Sequence, residues 1–139
     1  MMKNTPHPMA QVKDLYEQIL LSNLPNKHCV AVAITSSRGL PDLRLEKIKR
    51  LDSKNLALTL ESGLNIETGS SVALCLHWEP VRHQIRIRGI AQKNQADKGF
   101  TLVPDEIEFW VRKDFRIHDR TSYTLDEGQG TWTETKLFP

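Results

Sequence analysis

At 139 residues the chain is the length of one domain with a real core, and 39% hydrophobic with 26% charged residues is an ordinary globular composition. A formal charge of +2 is too small to argue for nucleic acid by itself, and no apolar run reaches the about 18 residues of a membrane span. The N-terminus, Met1-Met2-Lys3 followed by polar and proline residues, lacks the apolar core of a signal peptide. A single cytoplasmic domain over 1–139 is expected, with residues 1–9 flexible and no membrane or nucleic-acid partner.

The elements follow in chain order. From Ala10 to Asn23 the apolar positions Val12, Leu15, Tyr16, Ile19 and Leu20 have the spacing of an amphipathic helix, which Pro25 ends. Short segments rich in β-branched and apolar residues come next, divided by turn chemistry. They are Cys29 to Thr35, Leu43 to Leu51, Leu56 to Leu60, Val72 to His77 and His83 to Gln92, with a brief helical turn expected between Ser62 and Ser71. In the fifth strand Ile85, Ile87 and Gly89 alternate with Arg86 and Arg88, which places the arginines on an outer face. After a polar loop, Glu106 to Val111, Arg116 to Tyr123 and Trp132 to Leu137 complete the set. One leading helix and many short strands predict a mainly β fold, a small closed or nearly closed antiparallel barrel. Cys29 and Cys75 lie in apolar runs without Cys-x-x-Cys spacing and read as reduced core residues. His77 and His83 have no third ligand spaced with them, so no metal site is expected.

The C-terminal stretch carries the chemistry. Glu108-Phe109-Trp110, then Arg116-Ile117-His118-Asp119-Arg120, then Trp132 and Leu137-Phe138-Pro139 concentrate arginine, histidine and tryptophan in a chain that is only 6% aromatic. By strand alternation Arg116, His118 and Arg120 share one face, offering two guanidinium forks and an imidazole to a phosphorylated or carboxylated small molecule. The bland alternative is an ion-pair network with Glu108, Asp114 or Asp119. Likewise Arg44, Lys47, Lys49 and Arg50, taken alone, read as a solvated basic strand face.

This ending resembles the C-terminal signature of the pyridoxamine 5'-phosphate oxidase family, FMN enzymes whose chains close with a tryptophan, an Arg-x-His-Asp-Arg run and a terminal proline. The middle of the chain extends the likeness. Leu43-Arg44-Leu45-Glu46-Lys47-Ile48-Lys49 resembles the family's flavin strand, and Trp78-Glu79-Pro80-Val81-Arg82-His83-Gln84-Ile85 resembles its tryptophan-to-Arg-Gln-Val segment. The resemblance implies an FMN-binding split β-barrel with an N-terminal helix, forming a homodimer with FMN in clefts at the interface. It implies that Arg44 holds the FMN phosphate, that the backbone of Arg44, Leu45, Glu46 and Lys47 lines the isoalloxazine, and that Gln84, Trp110 and Arg120 also contact the flavin. Lys49, Arg116 and His118 would meet the substrate, and no catalytic residue is assigned.

Two departures bear on activity. Where the family carries a Ser-Arg-Lys phosphate grip, this chain reads Glu61-Ser62-Gly63-Leu64-Asn65, and the long insertion before the C-terminal run is reduced to Lys93 to Val103. Two readings therefore stand. One is an FMN-dependent oxidoreductase acting on a small heterocyclic or phosphorylated substrate. The other is a non-catalytic split-barrel module that binds FMN, a B6 phosphate or another anionic ligand, or serves as a dimeric interaction protein.

Overall fold

The computed structural model describes residues 7–36, 38–52, 57–63, 66–94, 99–114 and 118–137. Its elements are a helix α1 (Pro8–Leu20) and strands β1 (Cys29–Thr35), β2 (Pro41–Asp52), β3 (Ala57–Glu61), β4 (Ser71–Trp78), β5 (His83–Lys93), β6 (Phe100–Arg112), β7 (His118–Asp126) and β8 (Thr131–Leu137), with a 3-10 turn at Glu79–Val81.

α1 starts and stops earlier than its periodicity suggests. Pro8 supplies a preset φ at the first turn, and the His7 ring accepts from the Met9 amide at 3.1 Å. Pro8 and Met9, expected in a flexible terminus, are helical and buried. At the other end the Ser22 hydroxyl donates to the Ile19 carbonyl at 2.5 Å and the Lys27 ammonium to that of Leu20 at 3.2 Å. Side chains thus satisfy the last carbonyls before Pro25 is reached.

All strand pairings are antiparallel, in the order β3-β2-β1-β4-β5-β6-β7-β8, and an added β3–β6 pairing closes the first six into a barrel. The fold is a split barrel because β6 has two partners on one side. Its Phe100–Leu102 segment pairs with β3, whereas Glu106–Arg112 pairs with β7. β2 is divided in the same way, with β1 along Pro41–Lys47 and β3 only from Lys47 onward. Among the described residues the Pro41–Glu46 edge of β2 therefore has no strand beside it. Pro104 sits where β6 changes partner, opposite Gly89 at a register shift, a position that tolerates a residue without an N–H.

The core lies inside the barrel and under α1. Val30, Val32, Leu60, Ile85, Ile87 and Phe100 are among its fully buried members, and Met9, Val12, Tyr16 and Ile19 add the helix's apolar face. Tyr16 stacks on buried Trp78, while Gln11 reaches Tyr123 and the Trp132 indole nitrogen lies 2.9 Å from His7 Nε2, so α1 bridges the two sides of the split. The expected outward placement of Arg86 and Arg88 holds, with Ile85, Ile87, Gly89 and Ala91 buried between exposed neighbours. The helical turn expected between Ser62 and Ser71 does not form among the described residues; Thr68 and Gly69 make a turn instead. No helix among the described residues is long and apolar enough to cross a membrane.

Burial pushes the His7 and His83 imidazoles below the ordinary histidine range. At both positions the cause is desolvation, which penalises the charged ring. The folded state thus favours neutral rings, so this contribution to stability is complete above the unfolded value of 6.5. It is lost as pH falls from there through the folded values. The urea midpoint is expected to drop between about pH 7.5 and about pH 5.5, with a shallower drop in His83→Gln. A flat midpoint across that window contradicts it.

Candidate functional site

Strand register sorts the candidate residues onto faces, because directly paired residues in neighbouring strands point the same way. Leu43, Leu45 and Lys47 stand opposite Ala33, Ala31 and Cys29. Ala33 and Ala31 stand opposite Ala73 and Cys75. The row continues through Arg88, Arg86 and Gln84, then Glu106, Glu108 and Trp110, and then Thr124, Ser122 and Arg120. One outer face therefore carries Leu45, Lys47, Gln84, Trp110 and Arg120. Gln84, Trp110 and Arg120 are consecutive partners in a single cross-strand row that starts at His77 and ends at Leu137.

The other β2 candidates point elsewhere. Arg44 and Glu46 share the face of Val32 and Val30, yet Arg44 is exposed, because β3 does not reach that part of β2. Lys49 is the extra residue at the register shift between Ile48 and Arg50, and it is exposed. Arg116 lies outside the described residues, and β7 begins at His118, where the sequence pattern starts the strand at Arg116.

His118 packs its ring on Trp110, with centroids 4.5 Å apart, and its Nδ1 is buried without a partner among the described residues. Arg120 is paired. Its Nε donates to Glu108 Oε1 at 2.8 Å, and its Nη2 lies in an ion pair 2.8 Å from the same oxygen. Lys113 takes Asp119 at 2.6 Å and Arg82 takes Asp114. Arg88 meets Glu106 at 2.6 Å and Arg112 meets Glu79 at 2.6 Å, with His77 on the other Glu79 oxygen at 3.1 Å. Arg120 thus makes an ion pair with Glu108.

The face is grooved beside β2. The α1–β1 loop and the β2-β1-β4 wall form two adjoining hollows of about 530 and about 270 Å³ that share Leu24, Asn26, Cys29 and Leu45. The larger also meets His28, Glu46 and Lys47, and the smaller Cys75, His77 and Trp78. Cys29 and Cys75 were expected in the core and are instead half-buried free thiols in these walls. Their parity is the signal that composition hides: they alternate with the buried pairs Val30 and Val32, Leu74 and Leu76. Asn26, at φ 55 in the loop, has no motif that announces it. No group of metal-ligating side chains occurs among the described residues.

A planar anionic cofactor fits this surface in two respects. The open backbone edge of Pro41–Glu46 offers N–H and C=O groups that no strand uses, and Arg44 and Lys47 flank it with positive charge. Glu61, directly opposite Lys47, offsets part of that charge. One chain does not gather all the candidates in one hollow. β1 and β4 separate β2 from β5, so three interstrand steps put Gln84's strand about 14 Å from Leu45's along a curved wall.

Residues 98–139 match the family model described as the pyridoxine 5'-phosphate oxidase C-terminal dimerisation region. The pyridoxine/pyridoxamine 5'-phosphate oxidase of Cupriavidus taiwanensis is 23% identical, with 96% of this chain and 90% of that protein covered. The enzyme of the same name from Hyphomonas neptunium is 25% identical, with 97% and 88% covered. The first of these alignments runs over 191 residues against a chain of 139, so that relative carries residues this chain lacks. Among solved structures, PhzG from Burkholderia lata, in complex with tetrahydrophenazine-1-carboxylic acid, superposes with a TM-score of 0.81 at 18% identity, covering 99% of this chain and 95% of that one. A pyridoxamine 5'-phosphate oxidase-related, FMN binding protein from Nostoc punctiforme gives 0.74 at 12% identity, covering 99% and 100%. These structures share the fold.

Proposed function

We propose that this chain is a compact, divergent member of the pyridoxamine 5'-phosphate oxidase-like split barrels, an FMN-binding oxidoreductase, cytoplasmic and homodimeric, acting on a small heterocyclic or phosphorylated substrate; the matched C-terminal region, the relatives and the shared fold support it. One observation carries the reading. Leu45 and Lys47 of β2 share one continuous outer face with Gln84, Trp110 and Arg120 of β5–β7 but lie too far from them to meet within a chain, while Arg44 and Glu46 turn to the other face beside the open edge of β2. A second copy laid on that face sets the β2 group of one protomer against the Gln84-Trp110-Arg120 row of the other.

In such a cleft Arg44 takes the FMN phosphate, and the backbone of Arg44 to Lys47, open at its edge as far as Glu46, lines the ring. Gln84, Trp110 and Arg120 close on it. Bound flavin supplies hydride transfer, and the protein supplies orientation and electrostatics. Lys49, Arg116 and His118 position the substrate, with the His118 ring already fixed on Trp110. PhzG's ligand, a heterocyclic carboxylic acid, supports a heterocyclic substrate. The second reading, a non-catalytic split-barrel module, is favoured by Glu61 opposite Lys47 and by the residues that the longer relative carries and this chain lacks.

An FMN titration of apo-protein followed by flavin fluorescence tests the reading. Saturable binding that weakens about tenfold in Arg44→Ala is expected, the value of one charge-assisted contact. Absence of binding to folded protein leaves the non-catalytic module. The dimer has its own test. Leu43 and Leu45 are 69% and 73% exposed on the face in question, and burying each contributes about 1.5–3 kcal/mol. Leu43→Asp is expected to convert the dimer to a folded monomer in sedimentation; an unchanged mass argues for another interface.

A further inference from the structure

One acid on the outer face touches two arginines at once. Glu108 stands directly across from Arg86 of β5 and two residues before Trp110 on β6. Its side chain is only 12% exposed, against 35% for Glu106, the acid two residues before it. Oε1 accepts from Nε of Arg120 at 2.8 Å and lies 2.8 Å from its Nη2 in the same ion pair, and Oε2 lies 3.7 Å from Arg86 Nη1. Glu106 forms an ion pair with Arg88.

We propose that Glu108 is a positioning residue for the flavin site, acting through Arg120; the proposal rests on the FMN reading above. An unheld arginine on a strand face samples many rotamers, and ordering it on binding weakens affinity. With Nε and Nη2 both on one nearly buried oxygen, the guanidinium plane is set before any ligand arrives, in the row that also holds Trp110 and Gln84. Arg86, 3.7 Å from the second oxygen, adds positive charge on that side of the carboxylate. Simple charge arithmetic argues for the opposite effect, since a carboxylate beside an anion-binding arginine repels the anion. The two accounts therefore differ in sign.

The experiment is an FMN titration of wild type, Glu108→Asp, Glu108→Gln and Glu106→Gln. Glu108→Asp keeps the charge and loses the reach, whereas Glu108→Gln keeps the shape and loses the charge. Positioning predicts an FMN Kd about tenfold higher in both, and an equal or lower Kd in Glu106→Gln, which removes the same charge without touching Arg120. Glu108→Asp binding like wild type, or Glu108→Gln binding more tightly, overturns the proposal. The Arg120 Nε–H resonance of the unliganded protein gives a second readout. A resolved, slowly exchanging signal in wild type that disappears in Glu108→Asp is expected; an exchange-averaged signal in wild type overturns the proposal. If wild type takes no FMN, the flavin reading falls, and this resonance alone decides whether Glu108 fixes Arg120.

Discussion

Gly89→Ala is expected to destabilise the protein by about 3 kcal/mol, a fall in Tm of roughly 10 °C for a chain of this size. Gly89 is buried in β5 at the register shift opposite Pro104. A Cβ there would lie 2.1 Å from the Val103 carbonyl oxygen and 2.8 Å from the Pro104 Cα. Both are backbone atoms, so no side chain can turn aside; β5 and β6 must separate where β6 passes from β3 to β7. Gly63→Ala is the control, since nothing lies within 4 Å of its built Cβ, and it should stay within about 0.5 kcal/mol of wild type. Equal melting temperatures for the two variants would show that the strands yield there at little cost.

Arg120→Ala is expected to raise the FMN dissociation constant by about ten- to a hundredfold, corresponding to about 1.5–3 kcal/mol for a charged contact. Arg120→Lys should recover little of it, because an ammonium cannot present the Nε edge that Glu108 holds. On the proposed roles, Arg116→Ala is expected to spare the flavin and impair the second ligand. Equal loss of both ligands after either change, with the fold intact, would contradict separate roles. Glu108 keeps Arg86 in Arg120→Ala, which limits the structural cost of the substitution.

Sequence pattern located most elements, most clearly where burial alternates along the strand, as in β4 and β5. β5 is the clearest case, its isoleucines inside and its arginines outside. β6 shows where local reading stops. Pro104 marks a break by propensity, so a strand from Glu106 is the natural expectation, yet β6 runs from Phe100. The proline is accommodated because β6 exchanges one neighbour for another at that point, a fact of pairing rather than of composition. The helix ended early for a similar reason, since the Ser22 hydroxyl reached back to Ile19. The cysteines were misplaced because an apolar run was weighed by content rather than by parity.

By itself the sequence determined the mainly β class, the leading helix and the resemblance on which the candidate site rests. Those features are local or carried by spacing: periodicity, turn chemistry and the Arg116-Ile117-His118-Asp119-Arg120 motif with its tryptophans. Tertiary structure decided which faces those residues occupy and who their partners are. It set Gln84, Trp110 and Arg120 in one row, tied Arg120 to Glu108, and left the edge of β2 open beside Arg44. It also separated the β2 group from the β5–β7 group around a curved wall. Cross-strand register depends on which distant segments pair, and a one-residue shift moves every side chain to the opposite face. That information does not reside in any single segment of the chain.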